Sequence, residues 1–273
     1  MDKKVALLTG GSSGIGYESA KALARRGYLV YAAARRVSLI EAMKEPGVRP
    51  LAMDLTDEDS LQRGVQTVIA EQGRIDALVN NAGYGYLGAI EAVSLQEARR
   101  QLEVNLFGLA RLSQLVLPYM RAQGGGRIVN VSSVAGKVSV AKGGWYTVSK
   151  FAVEALSDSL RIEMKPFGVQ VVLIEPGPIR TDWGLIAADH LEASSQGTVY
   201  EASAAKQASL MRYAYKSSLF SGPQAVRRVI CKAVCARRPR LRYRPGRAAS
   251  LIVALHALLP ARWWDAGNRW LFG

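Results

Sequence analysis

The sequence predicts an α/β chain built on a single doubly wound parallel sheet with helices on both faces. Three observations predict it. Short apolar runs bounded by turn residues recur along the chain, separated by longer amphipathic stretches, as expected for buried parallel strands joined by crossover helices. A glycine-rich turn, Thr9-Gly10-Gly11-Ser12-Ser13-Gly14-Ile15-Gly16, follows the first apolar run. The chain has 273 residues, 49% of them hydrophobic, with no internal repeat, proline-rich tract or Gly/Ser linker, so one large core is expected. Residues 1–245 are assigned to the sheet domain, including a loop 183–222, and residues 246–273 to a basic, apolar helical extension of it.

Taken in order, Val5 to Thr9 reads as the first strand and Ile15 to Arg26 as the helix after the glycine turn. Leu29 to Ala33 is the next apolar run, followed by a short helical stretch from Leu39 to Lys44 and a strand from Val48 to Met53. Asp57 to Gln72 then reads as helix, Ala77 to Asn80 as strand and Leu95 to Arg121 as one long helix. The Gly124-Gly125-Gly126 loop leads into a strand from Arg127 to Val131; helix Trp145 to Pro166 and strand Gln170 to Ile174 complete the pattern, and a short basic strand around Leu241 to Arg244 extends the sheet. Right-handed crossovers put ligands at the carboxyl ends of these strands.

The formal charge of +14 is unevenly spread: from Arg227 onward there are eleven Lys and Arg residues against one acid, Asp265. That asymmetry argues against a nucleic-acid surface spread over the domain and for a local anionic partner of the C-terminal segment. Cys231 and Cys235 stand four apart in what reads as a helix, poor geometry for a disulfide, and nothing nearby supplies metal ligands; both are expected to be reduced core thiols. The start, Met1-Asp2-Lys3-Lys4-Val5-Ala6, runs straight into a strand without the apolar stretch and cleavage site of a signal peptide, so a cytoplasmic location is expected.

The glycine turn carries the first chemistry. Glycines let the backbone approach a diphosphate, and the next helix offers free amides and the positive end of its dipole; between strand and helix this is the dinucleotide turn of a Rossmann sheet. Gly10-Gly11-Ser12-Ser13-Gly14 also fits G-x-S-x-G with Ser12 as a hydrolase nucleophile. That reading fails, because an acid and then a histidine must follow, and only His190 and His256 exist, neither in a recognisable motif. At the end of the second strand stand Arg35 and Arg36 and no acid. An acid there would bind the ribose hydroxyls of NAD, whereas arginine suits the extra phosphate of NADP, so NADP is expected over NAD. Tyr146 and Lys150, four residues apart, share one helix face. A phenol with an ordinary pKa of roughly 10 needs a shift of about 2 to 3 units to exchange protons near neutrality, and a neighbouring ammonium supplies that sign.

With these residues in place, the chain resembles the short-chain dehydrogenases/reductases from about Lys4 to Trp183, and more generally their hydroxysteroid and retinol dehydrogenase-like members. The resemblance implies that Thr9, Gly10, Ser12, Ser13, Gly14, Ile15 and Gly16 form a cofactor turn. It also implies that Asp54, with Leu55, meets the adenine amine, and that Asn81, Ala82 and Gly83 of Asn80-Asn81-Ala82-Gly83 line the adenosine side. Asn105 would support a water in a proton relay. Ser133, thirteen residues before Tyr146, is preferred over Ser132 as the catalytic serine. Pro176, Gly177, Ile179 and Thr181 would hold the nicotinamide carboxamide. The chemistry agrees: hydride transfer to a carbonyl builds charge on its oxygen, two hydroxyls meet it, and Lys150 favours phenolate while holding the ribose.

Substrate choice falls to Val134–Trp145 and Trp183–Gly222, which carry Val138, Val140, Trp145, Trp183, Leu210 and Leu219 among other apolar residues. A lipophilic pocket is expected there, with Ser133, Val140, Trp145, Tyr146 and Trp183 as contacts. Ala248 to Leu259, twelve residues, is too short to span a bilayer. Its stripe suits an interfacial helix at the inner face of an anionic membrane, but packing over the pocket or against another subunit is the expectation, since most apolar stripes are core. The sequence therefore predicts an oxidoreductase moving hydride between NADP(H) and a lipophilic alcohol/carbonyl pair, with no metal ion, as a homodimer or homotetramer by resemblance. The competing reading is a non-catalytic dinucleotide-binding sensor or scaffold, membrane-peripheral through the basic tail; the full Asn105, Ser133, Tyr146, Lys150 set speaks against it.

Overall fold

The computed structural model describes residues 3–218 and 220–272; Leu219, one of the expected pocket residues, lies outside them. In chain order the first half contains β1 (Val5–Thr9), α1 (Gly14–Ala24), β2 (Leu29–Ala34), α2 (Ser38–Glu41), β3 (Val48–Ala52), α3 (Glu58–Gln72) and β4 (Ala77–Asn80). The second contains α4 (Leu95–Leu102), α5 (Gly108–Ala122), β5 (Gly126–Val131), α6 (Gly144–Met164), β6 (Val169–Ile174), α7 (Asp182–Ser195), α8 (Glu201–Lys216), α9 (Pro223–Cys235), β7 (Arg242–Tyr243), α10 (Ala249–Leu258) and α11 (Ala261–Phe272). The strands form one parallel sheet in the order β3-β2-β1-β4-β5-β6-β7, so the chain reverses its winding between β1 and β4.

The period of two along each strand sorts side chains into two layers. Ala6 and Leu8 of β1 join Val30, Val79 and Val129 beneath α1 and α9. Val5 and Leu7 join Tyr31, Leu78 and Ile128 beneath α3 and α5. A buried polar ladder lies on the second of these faces, between the sheet and α5 and α6: Asn80 Nδ2 donates to Ser113 Oγ and to Asn130 Oδ1, and Asn130 Nδ2 donates to Ser157 Oγ. Asn80 and Asn130 are register partners, so the ladder locks β4 to β5 where both strands end at the site.

Three expectations change. The long helix expected over Leu95 to Arg121 is broken by a π turn, Glu103–Phe107, between α4 and α5. Just after it, Gly108 lies so close to the loop beyond β3 that a Cβ would stand 2.4 Å from the Leu55 carbonyl oxygen. The region 183–222 is not a loop: α7 and α8 pack on one another through Ala187, Ala188, Leu191, Ala204 and Ala208. Cys231 is buried, but Cys235 is exposed. In α10 only Ala249 is buried, where it meets Gly177.

Candidate active site

The carboxyl ends of β1, β4, β5 and β6 converge on one side of the sheet. At the first, Gly10 (φ +71°) and Gly14 (φ +53°) take left-handed backbone conformations that favour glycine. A Cβ on Gly16 would stand 2.1 Å from the Gly10 carbonyl oxygen, so the turn closes back on α1. Ser13 occupies the N-cap of α1 without a side-chain cap bond, and no acid lies in the first turn. The amides and dipole end of α1 are thus open to an anion. Ser12 and Ile15 flank this opening half-buried, and a Cβ on Gly14 would approach Thr181 Cγ2 to 3.6 Å. This arrangement fits a diphosphate between the glycine turn and the start of α7.

Thr9 does different work from the other turn residues. Its hydroxyl accepts from the Asn81 and Ala82 amides, at 3.1 Å each, and its carbonyl accepts from Asn81 Nδ2 at 3.0 Å. It therefore braces β1 against the end of β4 from a buried position. Gly83 backs onto the centre of the site, since a Cβ there would lie 3.0 Å from Asn105 Oδ1 and 3.6 Å from Lys150 Nζ.

Asn105 sits in the π turn with its side-chain amide fully committed. Oδ1 accepts from Tyr84 N, while Nδ2 donates to Tyr84 O and Ser149 Oγ. Ser149 Oγ donates in turn to Tyr146 O at 2.7 Å. Through these bonds it ties the segment after β4 to the first turns of α6. Lys150 is 5% exposed and donates from Nζ to the Val131 carbonyl at 3.0 Å, with that nitrogen 5.8 Å from the Tyr146 ring centroid. Burial pushes Lys150 down to about 8, against the opposing pull of Glu154.

Burial pushes the Tyr146 phenol up to about 12, and a hydrogen bond with Ser133 opposes this. The direction is opposite to the sequence expectation. In a desolvated site the cost of a bare phenolate outweighs what the chain's own groups return. Ser133 Oγ also accepts from Ala135 N, which fixes the serine at the turn leaving β5.

Around this pair the wall is aromatic. The Trp183 ring lies 5.1 Å from that of Tyr146, and both pack with Met211 on the apolar contact between α7 and α8. Val140 lies against Gly143, and Trp145 is half-buried with its indole N–H unpartnered among the described residues. Tyr215, from the segment Trp183–Gly222 expected to line the pocket, is a further neighbour. It packs on Gly184 and on Phe220, and burial, with Tyr146 close by, raises its phenol.

Arg35 and Arg36 are exposed beyond β2. Asp54 Oδ1 accepts from the amide and hydroxyl of Thr56, leaving Oδ2 as the other acceptor, and Leu55 meets Gly108 as described above. Beyond β6, Pro176, Gly177 and Ile179 are buried. Gly177 N donates to Pro245 O, and a Cβ there would meet Ala249 of α10, so this segment rests on the C-terminal extension, with Thr181 facing the glycine turn.

A model of the short chain dehydrogenase family matches residues 4–189, which include the glycine turn, Asn105, Ser133, Tyr146 and Lys150. The chain belongs to the short-chain dehydrogenases/reductases. It is 36% identical over 262 residues to a "Probable short-chain type dehydrogenase/reductase VdlC" of Helicobacter pylori, covering 96% of this chain and 95% of the relative. It is 34% identical to a 3-ketodihydrosphingosine reductase of Bacteroides thetaiotaomicron, covering 93% and 92%. A short-chain dehydrogenase/reductase from Burkholderia phymatum, solved in complex with NAD, superposes with a TM-score of 0.78 at 27% identity, covering 94% and 93%. The chain is thus an oxidoreductase with the family's dinucleotide-binding fold.

Proposed function

We propose that this short-chain dehydrogenase/reductase prefers NADP(H) and interconverts a lipophilic alcohol and its carbonyl, with Tyr146 as general acid/base. The observation that carries the reading is the Ser133–Tyr146 hydroxyl pair beside the buried Lys150. Two hydroxyls at one point suit a carbonyl oxygen that gains charge as its carbon is reduced: Ser133 donates to that oxygen and Tyr146 delivers the proton. The nicotinamide cofactor supplies or takes the hydride and, when oxidised, places a cationic ring beside the phenol, which favours phenolate.

The chain's own residues hold and orient. Gly10 to Gly16, with Ser12, Ser13 and Ile15, wrap the diphosphate; Asp54 and Leu55, with Asn81, Ala82 and Gly83, line the adenine and its ribose; Pro176, Gly177, Ile179 and Thr181 position the carboxamide. Lys150 holds ribose hydroxyls, and Asn105 keeps Tyr84 and Ser149 in register with Tyr146. Arg35 and Arg36, exposed and with no acid beside them at the end of β2, favour the additional phosphate of NADP. Trp183, Met211 and the α7–α8 contact favour a lipophilic substrate, with Val140 and Trp145 as further contacts. The name of the sphingoid-ketone reductase relative points the same way. An outward stripe on α6, with Val148 and Ile162 48% and 66% exposed, supports a homodimer or homotetramer.

Following NADPH absorbance over a panel of lipophilic ketones and aldehydes tests the substrate class. Tyr146→Phe is expected to cut kcat by roughly 10²- to 10⁴-fold while cofactor affinity holds; an unchanged rate refutes the proton role. Arg35→Ala is expected to weaken NADPH binding roughly 10- to 100-fold, from about 1.5–3 kcal/mol for a charged hydrogen bond, with little loss for NADH. Equal losses would remove the phosphate contact.

A further inference from the structure

We infer that α10 and α11 form an interfacial anchor for an anionic lipid bilayer, set beside the mouth of the active site. α10 is apolar apart from Ser250 and His256, yet Leu251, Leu255 and Leu258 stand 59%, 42% and 81% exposed. Their spacing of four and three residues puts them on one face. α11 continues the pattern with Trp263 and Trp270, 60% and 81% exposed and seven residues apart, each preceded by an exposed arginine, Arg262 or Arg269. Leucines beneath paired arginine and tryptophan is the arrangement of a helix lying at the headgroup boundary. No helix among the described residues is long and apolar enough to cross a membrane, so the hairpin lies on the bilayer.

The charge around it suits lipid better than a second copy. A cleft of about 500 Å³ opens at the start of α10, lined by Lys232, Arg240, Arg242, Tyr243, Arg244 and Ser250. Arg242 and Arg244 are paired with Glu154, Asp158 and Glu175, but among the described residues no acid pairs with Lys232 or Arg240, nor with Arg262 or Arg269. A self-complementary contact would set these cations against their own equivalents with Asp265 as the only acid of α10 and α11. A phosphate-bearing surface neutralises them instead. The hairpin is also tied to the site: Trp264 Nε1 donates to the Ser139 carbonyl, between Ser133 and Tyr146, and His256 packs edge-on against Trp264. Docking therefore brings the aromatic wall next to dissolved lipid. The surface stands without the reductase reading; only this route for a lipophilic substrate rests on it.

Co-sedimentation of the full chain with vesicles tests the inference, comparing phosphatidylcholine alone with phosphatidylcholine plus phosphatidylglycerol at about 0.15 M salt. The wild type is expected to pellet with the anionic vesicles only, and Leu255→Glu/Leu258→Glu to abolish this. Arg262→Gln/Arg269→Gln, which leaves every apolar contact in place, should lower partitioning roughly 30-fold, from about 1 kcal/mol per base. Turnover of a water-soluble carbonyl should be unchanged in both variants, and Tyr146→Phe should pellet as the wild type does, so the anchor and the chemistry fail separately. Wild-type protein left in the supernatant, or both variants pelleting normally, overturns the anchor. Loss of an oligomer in the leucine variant without wild-type vesicle binding gives the face to a second copy.

Discussion

Lys150 shows how burial turns one residue into a pH sensor. Its folded pKa of about 8 lies below the ordinary 10.5 because burial penalises the ammonium. Between those values the unfolded chain binds more protons than the folded one, so stability rises with pH across that window, by roughly 3 kcal/mol in all. Tyr146 acts in the other sense: its phenol, raised to about 12, adds stability below pH 10 that is lost as pH climbs through 12. Urea unfolding at pH 8 and pH 9.5 should therefore show a gain in the wild type that Lys150→Met lacks; equal pH responses would mean the amine is not desolvated. The Tyr146–Lys150 pair was legible because helical spacing is local, as was the glycine turn. The true partners of Asn105 and Thr9 were not, since Tyr84, Ser149, Asn81 and Ala82 come from distant stretches of chain. Tyr215 lay within the segment expected to form the pocket, but its approach to Tyr146 depends on the fold of α8.

At the scale of elements, the strands were readable to within a residue or two because parallel strands covered on both faces must be continuous apolar runs. The helices were less so. The π turn over Glu103–Phe107 leaves the apolar spacing of its neighbours almost unchanged, so one helix was expected where three segments stand. In α7 and α8 the inward faces are largely alanine, and small inner side chains give too little contrast to announce a helix. The glycine turn is more exacting. A methyl group at residue 16 would meet both the Gly10 carbonyl oxygen and Asn81 Nδ2, at 2.1 and 2.6 Å, and neither can retreat without opening the junction of β1 and β4. Gly16→Ala should cost roughly 1–3 kcal/mol of stability and weaken NADPH binding more than tenfold. Thermal melts and fluorescence titration read the two effects; a variant that binds as tightly as the wild type would show that the turn has room to spare.

Across the whole molecule, two surfaces are treated in opposite ways. The basic segment after α9 is pinned by Glu175, fully buried, to which Arg242 and Arg244 both pair, so a two-residue strand suffices to fix the sheet edge. Charge counting showed the excess of cations but not that these two would pair with Glu154, Asp158 and the buried Glu175. Elsewhere on the surface, α6 turns Val148, Phe151 and Ile162 to solvent, with Ala155 and Ser159 exposed between them. Large apolar groups separated by small ones let a second helix approach closely, and an isologous pairing of this stripe with that of a partner would bury it from both sides. Phe151, near the middle, is then the anchoring aromatic, and truncating such an anchor costs about 2 kcal/mol or more, roughly 30-fold in affinity. Phe151→Asp adds an unpaired charge in the same place and should shift the protein to monomer in sedimentation velocity, while its melting temperature extrapolated to low concentration stays that of a wild-type protomer. A variant that keeps the wild-type sedimentation coefficient would move the subunit contact away from α6.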